Sequence, residues 1–231
     1  MVGTRRDKIL ELFKFPFQCG IAKLYKYMSM APGKIKYLEE VFRDREIFLP
    51  PPTKFNDPFE CRPYLTWYKK GKKLRNYFDQ MVSERFPEAN RETKRQRIKE
   101  GYERFRRNQD KFMRKLYEEF ISTTGLYCLT QVPDNILMWS HYSNGHNGIV
   151  LGFDANREYT ILFEAIEVHY SIEYPLVNLM EIGEPEHFKK ALLTKSLDWE
   201  YEREWRIIKT PPEGGTGKYK FTHDLLKGVI F

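Results

Sequence analysis

Carboxylates recur at every second position in one stretch, Trp199-Glu-Tyr-Glu-Arg-Glu-Trp-Arg206, which carries Glu200, Glu202 and Glu204. An extended strand would put all three on one face, with Trp199, Tyr201, Arg203 and Trp205 opposite. Like charges so placed repel unless they are solvated, paired or used. A helix would instead set Glu202 four residues before Arg206, a favourable pair. One outcome is a solvated ion-pair ladder. The other is a site in which the carboxylates are used. Trp199 and Trp205 are expected to anchor the stretch in the core and Glu200 to face solvent, leaving Glu202 and Glu204 as the candidate catalytic carboxylates.

Three further stretches could contribute chemistry. Leu24-Tyr25-Lys26-Tyr27 alternates as a half-buried strand does, and a lysine on its inner face would contact an anion. In Pro50-Pro-Pro-Thr-Lys-Phe-Asn-Asp-Pro-Phe-Glu60 the prolines stop a strand. Asn56-Asp57-Pro58 is turn chemistry, since short polar side chains bond their own backbone. It either braces a rigid connection or presents Asn56, Asp57 and Glu60 together to a ligand hydroxyl or amide. The third stretch, Asn135-Ile-Leu-Met-Trp-Ser-His-Tyr142, gathers Trp139, Ser140, His141 and Tyr142 within about a helical turn. His141 and His146 are five apart, not the four of a helical metal pair, so no metal site is expected. His141 is either a structural hydrogen-bonding group or a catalytic one.

These side chains need a scaffold, and length and composition limit its kind. The chain has 231 residues, enough for one domain with an elaboration, and its aromatic share of 16% suits a core, a ligand cleft or both. No apolar run approaches the roughly 20 residues that cross a bilayer, and residues 1–7 lack the apolar centre of a leader. No membrane association is expected, and a cytoplasmic protein is. Cys19, Cys61 and Cys128 are odd in number and widely spaced, and are read as small buried hydrophobes rather than disulfides or metal ligands.

The formal charge of +7 is concentrated: residues 69–119 hold 17 Lys and Arg against 9 Asp and Glu. This segment has helical apolar spacing, through Leu74, Tyr77, Phe78, Met81 and Val82, then through Ile98, Tyr102, Phe105, Phe112, Met113, Leu116, Tyr117 and Phe120. The pattern predicts two helices divided near Phe86-Pro87, the second long and beginning after Asn90. Elsewhere short apolar runs predict strands at 23–27, 46–49, 125–129, 148–153, 165–170, 205–209 and 228–231. Short helices are expected around 35–42 and over 186–197. The result is a single α+β domain over 1–231, with a core of 21–68 and 122–231 and an inserted basic helical pair at 69–121.

Taken in order, Leu-Tyr-Lys-Tyr, Phe-Asn-Asp-Pro-Phe-Glu, Met-Trp-Ser-His-Tyr with Gly-Ile-Val-Leu-Gly-Phe-Asp, and Lys195 before Trp199-x-x-Glu-x-Glu-Trp-Arg206 resemble the bacterial family catalogued as domain of unknown function 2971. A more distant resemblance, in the order of elements, is to the ADP-ribosyltransferase superfamily. It implies an ADP-ribosyltransferase-like split, mixed or antiparallel sheet and NAD as the substrate. It further implies Lys26 as the ribose contact, Tyr142 or Trp139 as the ring that stacks on nicotinamide, and Glu204 with Glu202 as the carboxylates at the reacting ribose. Tyr25, Tyr27, Asn56, Asp57, Glu60, Ser140, His141 and Arg206 complete the expected binding residues. Lysine stands where that superfamily has His or Arg, no Ser-Thr-Ser triplet occurs, and the sequence given stops at Phe231 where relatives commonly continue.

The expectation is therefore an NAD-using ADP-ribosyltransferase or NAD-degrading effector, of the toxin or phage-defence kind that such folds serve. Two alternatives stay open: a non-catalytic nucleic-acid-binding protein that uses the insertion, and a metal-dependent nuclease built on Asp57, Glu60 and the late glutamates.

Overall fold

The computed structural model describes residues 11–231, and the amino-terminal stretch 1–7 considered above lies outside the described residues. The strands are β1 (Lys23–Ser29), β2 (Glu46–Leu49), β3 (Tyr64–Thr66), β4 (Gly125–Thr130), β5 (Gly148–Asp154), β6 (Ile166–Glu167), β7 (His169–Ser171), β8 (Leu176–Asn178), β9 (Thr194–Ser196), β10 (Glu204–Lys209), β11 (Gly217–Lys220) and β12 (Leu226–Ile230). The α-helices among the described residues are α1 (Ile35–Glu39, continued as a wider turn to Asp44), α2 (Lys72–Arg85), α3 (Arg91–Arg107), α4 (Gln109–Thr123), α5 (Ile136–Tyr142) and α6 (Pro185–Leu192). The chain is thus α+β.

Six strands form an antiparallel sheet in the order β12-β5-β1-β4-β10-β6, and three two-stranded ladders, β2 with β11, β3 with β8 and β7 with β9, surround it. The last two ladders are parallel. The large sheet opens in its middle. β1 pairs with β5 along all seven of its residues but meets β4 only at Tyr25↔Thr130, and beyond that point the two strands diverge. Lys26 spans the opening by donating from its ammonium to the Cys128 carbonyl at 2.9 Å.

Alternation along the strands sorts the core. Leu129 and Tyr127 on β4, Trp205 and Ile207 on β10 and Leu151 and Phe153 on β5 belong to one apolar cluster, which α1 and β2 cover with Leu38 and Ile47. The next residues along, Leu126 and Ile208, join a second cluster containing Phe78 of α2, Phe105 of α3 and Met113, Tyr117 and Ile121 of α4. The basic helices therefore share a core with the sheet. Their aromatics face inward: Phe78 lies 5.8 Å from Phe105 and 6.1 Å from Phe112, ring centre to ring centre.

Several expectations need correction. The long second helix of the insertion is two helices, because the Asn108 side chain accepts from the Lys111 amide and starts α4 anew. The strand expected over 165–170 breaks at Val168: the Val168 amide donates to the Glu204 carbonyl, the His169 amide to that of Leu193, and the chain passes from one sheet to another ladder. The helix expected over 186–197 ends at Leu192, since Thr194, Lys195 and Ser196 extend to pair with β7. A short 3-10 turn, Leu197–Glu202, follows. Cys19 is exposed and Cys128 only partly buried, leaving Cys61 as the buried cysteine.

Candidate functional site

The opening between β1 and β4 is the floor of a cleft of about 510 Å³. Tyr25, Lys26 and Tyr27 come from β1, Thr130 from the end of β4, His141 and Tyr142 from α5, and Asn56 and Glu60 from the proline-rich connection. Lys195, Glu202 and Glu204 line the same space, and Lys34 and Lys54, both exposed, bring two further ammonium groups to it. Two glycines of β5 make this assembly possible. A Cβ on Gly148 would stand 2.3 Å from the Met28 carbonyl oxygen, so only glycine lets the end of α5 turn down beside β1. A Cβ on Gly152 would press on the Tyr25 ring at 3.2 Å.

Behind the cleft five charged side chains are packed together out of reach of bulk solvent. Lys195, on β9, places its ammonium 2.5 Å from Glu202, 2.9 Å from Glu204 and 3.8 Å from Glu60. Arg206 gives Nε to Glu204 at 2.7 Å and Nη2 to the other oxygen of Glu204 at 3.0 Å; it also bonds Glu60, and its Nη1 reaches the Leu192 carbonyl at 2.7 Å. All five are buried. Three carboxylates meet two cations, so the fully ionised cluster keeps one negative charge in excess. In so dry an environment that excess is costly unless it is protonated, solvated or matched by a ligand.

Glu202 carries the more lightly held share. One of its oxygens takes the Lys195 ammonium and the other only the Tyr142 hydroxyl, at 2.6 Å, whereas both Glu204 oxygens are held by Arg206. Burial pushes the Glu202 carboxyl above the ordinary carboxylate range; Lys195 pulls it back, and Glu204 adds to the push. Burial also works against the Lys195 charge, but Glu204 and Glu202 more than offset it and hold the ammonium well above its usual value. Burial raises the Tyr142 phenol too, which keeps it a donor to Glu202.

Glu200 and Glu202 lie in the 3-10 turn 197–202, whose period sets them on different faces, so Glu200 is exposed while Glu202 is buried, as is Glu204 beyond Arg203. Arg203 has φ +42°, left-handed for a residue with a side chain, so the chain turns there instead of continuing an extended ladder. Thr130 fixes the turn by donating its hydroxyl to the Glu202 carbonyl at 2.5 Å, and the Gln131 amide donates to the Arg203 carbonyl at 3.3 Å. The Glu204 amide donates to the Tyr170 hydroxyl at 2.8 Å.

Not every candidate residue reaches the cleft. Trp139 packs edge-on against Tyr27 at 5.5 Å and gives its indole N–H to the Pro133 carbonyl, so it braces the wall from outside. Ser140 is exposed and does not line the space. Asp57 turns to a neighbouring cleft, accepting the Phe59 amide at 2.8 Å, and Arg206 is fully enclosed behind Glu204. Trp199 is half-buried rather than core, 6.1 Å from the exposed His141 ring, while Trp205 is fully buried. Tyr27 donates to the Val132 carbonyl and accepts the Asn135 amide, which ties β1 to the start of α5.

Lys195, Thr130, Lys34 and Lys54 are cleft residues absent from the expected set. Lys195 precedes the motif at 199–206 but carries no expected role, since its stretch has the spacing of a helix, and Thr130 is one residue past an ordinary apolar strand. Among the described residues no three His, Cys, Asp or Glu side chains are grouped to hold a metal ion; Glu60, Glu202 and Glu204 converge on Lys195 and Arg206 instead. Nor is any helix among them long and apolar enough to cross a membrane.

Residues 138–207 match the profile of a family described as Protein of unknown function (DUF2971). The matched stretch runs from α5 through Lys195, Glu202, Glu204 and Arg206, and leaves out the Tyr25-Lys26-Tyr27 and Asn56-to-Glu60 walls. No curated protein and no solved structure matches the chain.

Proposed function

We propose that the cleft takes NAD and that the protein breaks its nicotinamide glycosidic bond, as an ADP-ribosyltransferase or an NAD-degrading enzyme. One observation carries this reading: Lys26, Tyr142, Glu202 and Glu204 line one cleft, and the buried charges behind it are one cation short. The antiparallel sheet that opens beside Tyr25 supports an ADP-ribosyltransferase-like arrangement, and the volume of about 510 Å³ lies in the range of small-molecule sites.

In the proposed reaction the C1′–N1 bond breaks and its electron pair leaves with nicotinamide, whose ring charge is neutralised. The ribose becomes oxocarbenium-like, and water or an acceptor nucleophile adds at C1′ and loses a proton. A negative excess fixed before the reaction stabilises this developing cation more than the ground state, as carboxylates do in glycoside hydrolysis. Glu202, steadied by Tyr142 and Lys195, supplies that charge, and Glu204 holds the cluster together. Tyr142 and Tyr25 offer ring faces to nicotinamide, while Lys26, Lys34 and Lys54 are the cations available to the diphosphate.

The test is to follow nicotinamide release from NAD by chromatography, alone and with protein or nucleic acid as acceptor. Wild type should release nicotinamide, and Tyr142→Phe and Lys26→Ala should each lower kcat/KM by about tenfold or more. A folded protein that neither binds nor consumes NAD with any acceptor overturns the reading. Glu204→Gln is a poorer probe, because it strips a partner from both Lys195 and Arg206.

A second reading rests on α3, which carries eight Lys or Arg against three Glu and has Phe105 as its one fully buried residue. Such a helix suits the phosphate backbone of a nucleic acid, by counterion release. Its aromatics are committed to the core, so contact there would be with phosphates rather than bases.

A further inference from the structure

A second cleft, of about 900 Å³, lies across the wall from the first; Asn56, Glu60 and Lys195 line both. Its chemistry is opposite to that of the protein as a whole. Asp57, Glu173 and Asp198 line it, and none of them is in an ion pair among the described residues. On the cationic side, Arg62 is engaged with Glu118 and Lys195 with the buried cluster, which leaves Arg114. A chain of net charge +7 thus presents here a locally acidic hollow.

The same hollow displays large aromatic surface. Phe59 is 70% exposed, Tyr64 66% and Tyr174 41%; Tyr64 and Tyr174 meet edge to face at 4.8 Å, and half-buried Trp199 closes the far side. Exposed rings beside unpaired carboxylates form a receptor for ammonium or guanidinium groups, since the ring face and the carboxylate both attract a cation. A polyanion meets repulsion on the same surface. The floor includes Tyr64 and Leu65 of β3, which among the described residues pairs with no strand but β8.

We infer that this cleft binds an extended polypeptide segment bearing Lys or Arg, whose cationic side chains lie on Phe59, Tyr64 and Tyr174 and between Asp57, Glu173 and Asp198. Backbone pairing to an open strand edge and alternate side chains in pockets is a general mode of peptide capture. The inference does not depend on NAD chemistry in the first cleft.

The full chain should be titrated against two dye-labelled peptides, one alternating arginine with alanine and one alternating glutamate with alanine, with anisotropy as the readout. Non-specific attraction to a protein of charge +7 favours the acidic peptide, so saturable binding of the basic one in preference is the expected result. Glu173→Lys and, separately, the charge-neutral Phe59→Ala should each weaken it by about tenfold. Both side chains are exposed, and circular dichroism should show unchanged folding. Equal or tighter binding of the acidic peptide overturns the inference, as does displacement of the basic peptide from the protein by neither variant.

Discussion

Two regions of this molecule are rich in charge, and they differ in almost every other respect. Helix α3 carries its eight basic and three acidic side chains largely in solvent, in a segment rich enough in Lys and Arg to dominate the net charge. The cluster behind the cleft has only five charged groups, all buried, drawn from the 51–63 connection, β9, the turn before β10, and β10 itself. Exposed charges are screened and individually contribute about 0–1 kcal/mol to stability. Buried ones cost several kcal/mol each to desolvate and persist only with good partners. Counting charges therefore points to the helix, whereas asking which charges are held against solvation points to the cluster.

The largest expected effect that sharpens this contrast is on Arg206. Arg206→Met removes the closer cation from Glu60 and leaves Lys195 as the one cation for all three carboxylates, and should cost about 3–5 kcal/mol in urea unfolding. A loss below about 1 kcal/mol, the scale of an exposed pair, would mean that the cluster behaves as surface charge after all.

Glu202→Gln should show a smaller effect with a diagnostic pH dependence. The folded protein binds the Glu202 proton more tightly than the unfolded chain, whose value is the ordinary 4.5. Stability from this group is fully present below 4.5 and is lost as pH rises through the higher folded-state value. Wild type should therefore lose stability relative to the Gln variant across that window, measured by denaturant unfolding at a series of pH values. A difference that is flat with pH breaks the assignment. The smallest effect on folding belongs to α3: replacing Arg104, Arg106 and Arg107 with Gln should barely move the unfolding midpoint, while weakening any salt-dependent binding of RNA or DNA.

What was legible in the sequence follows the reach of each signal. Short apolar runs bounded by turn residues located the strands of the large sheet, because a buried strand leaves that trace. β3, β8, β9 and β11 left none, being three or four residues long and half exposed. The pairing of Glu202 with Glu204 across Arg203 was visible as a spacing, but neither the 3-10 turn over 197–202 that sets Glu200 apart nor the left-handed backbone at Arg203 is announced by residue type. Lys195 was invisible as a centre of charge: its three carboxylate partners lie at positions 60, 202 and 204, and only folding brings the first of them near. Trp139 misled for a related reason, since an aromatic beside a tyrosine on a short helix can brace the wall from behind as easily as line it.

The shared apolar cluster under α2, α3 and α4 also ties those helices to the strands that carry the site. Those helices are not a detachable module, because Phe78, Phe105 and Met113 close over the same core as Leu126, Val168 and Ile208. Removing them would expose Leu126 of β4 and Ile208 of β10 to water, on the two strands that also carry Thr130, Glu204 and Arg206.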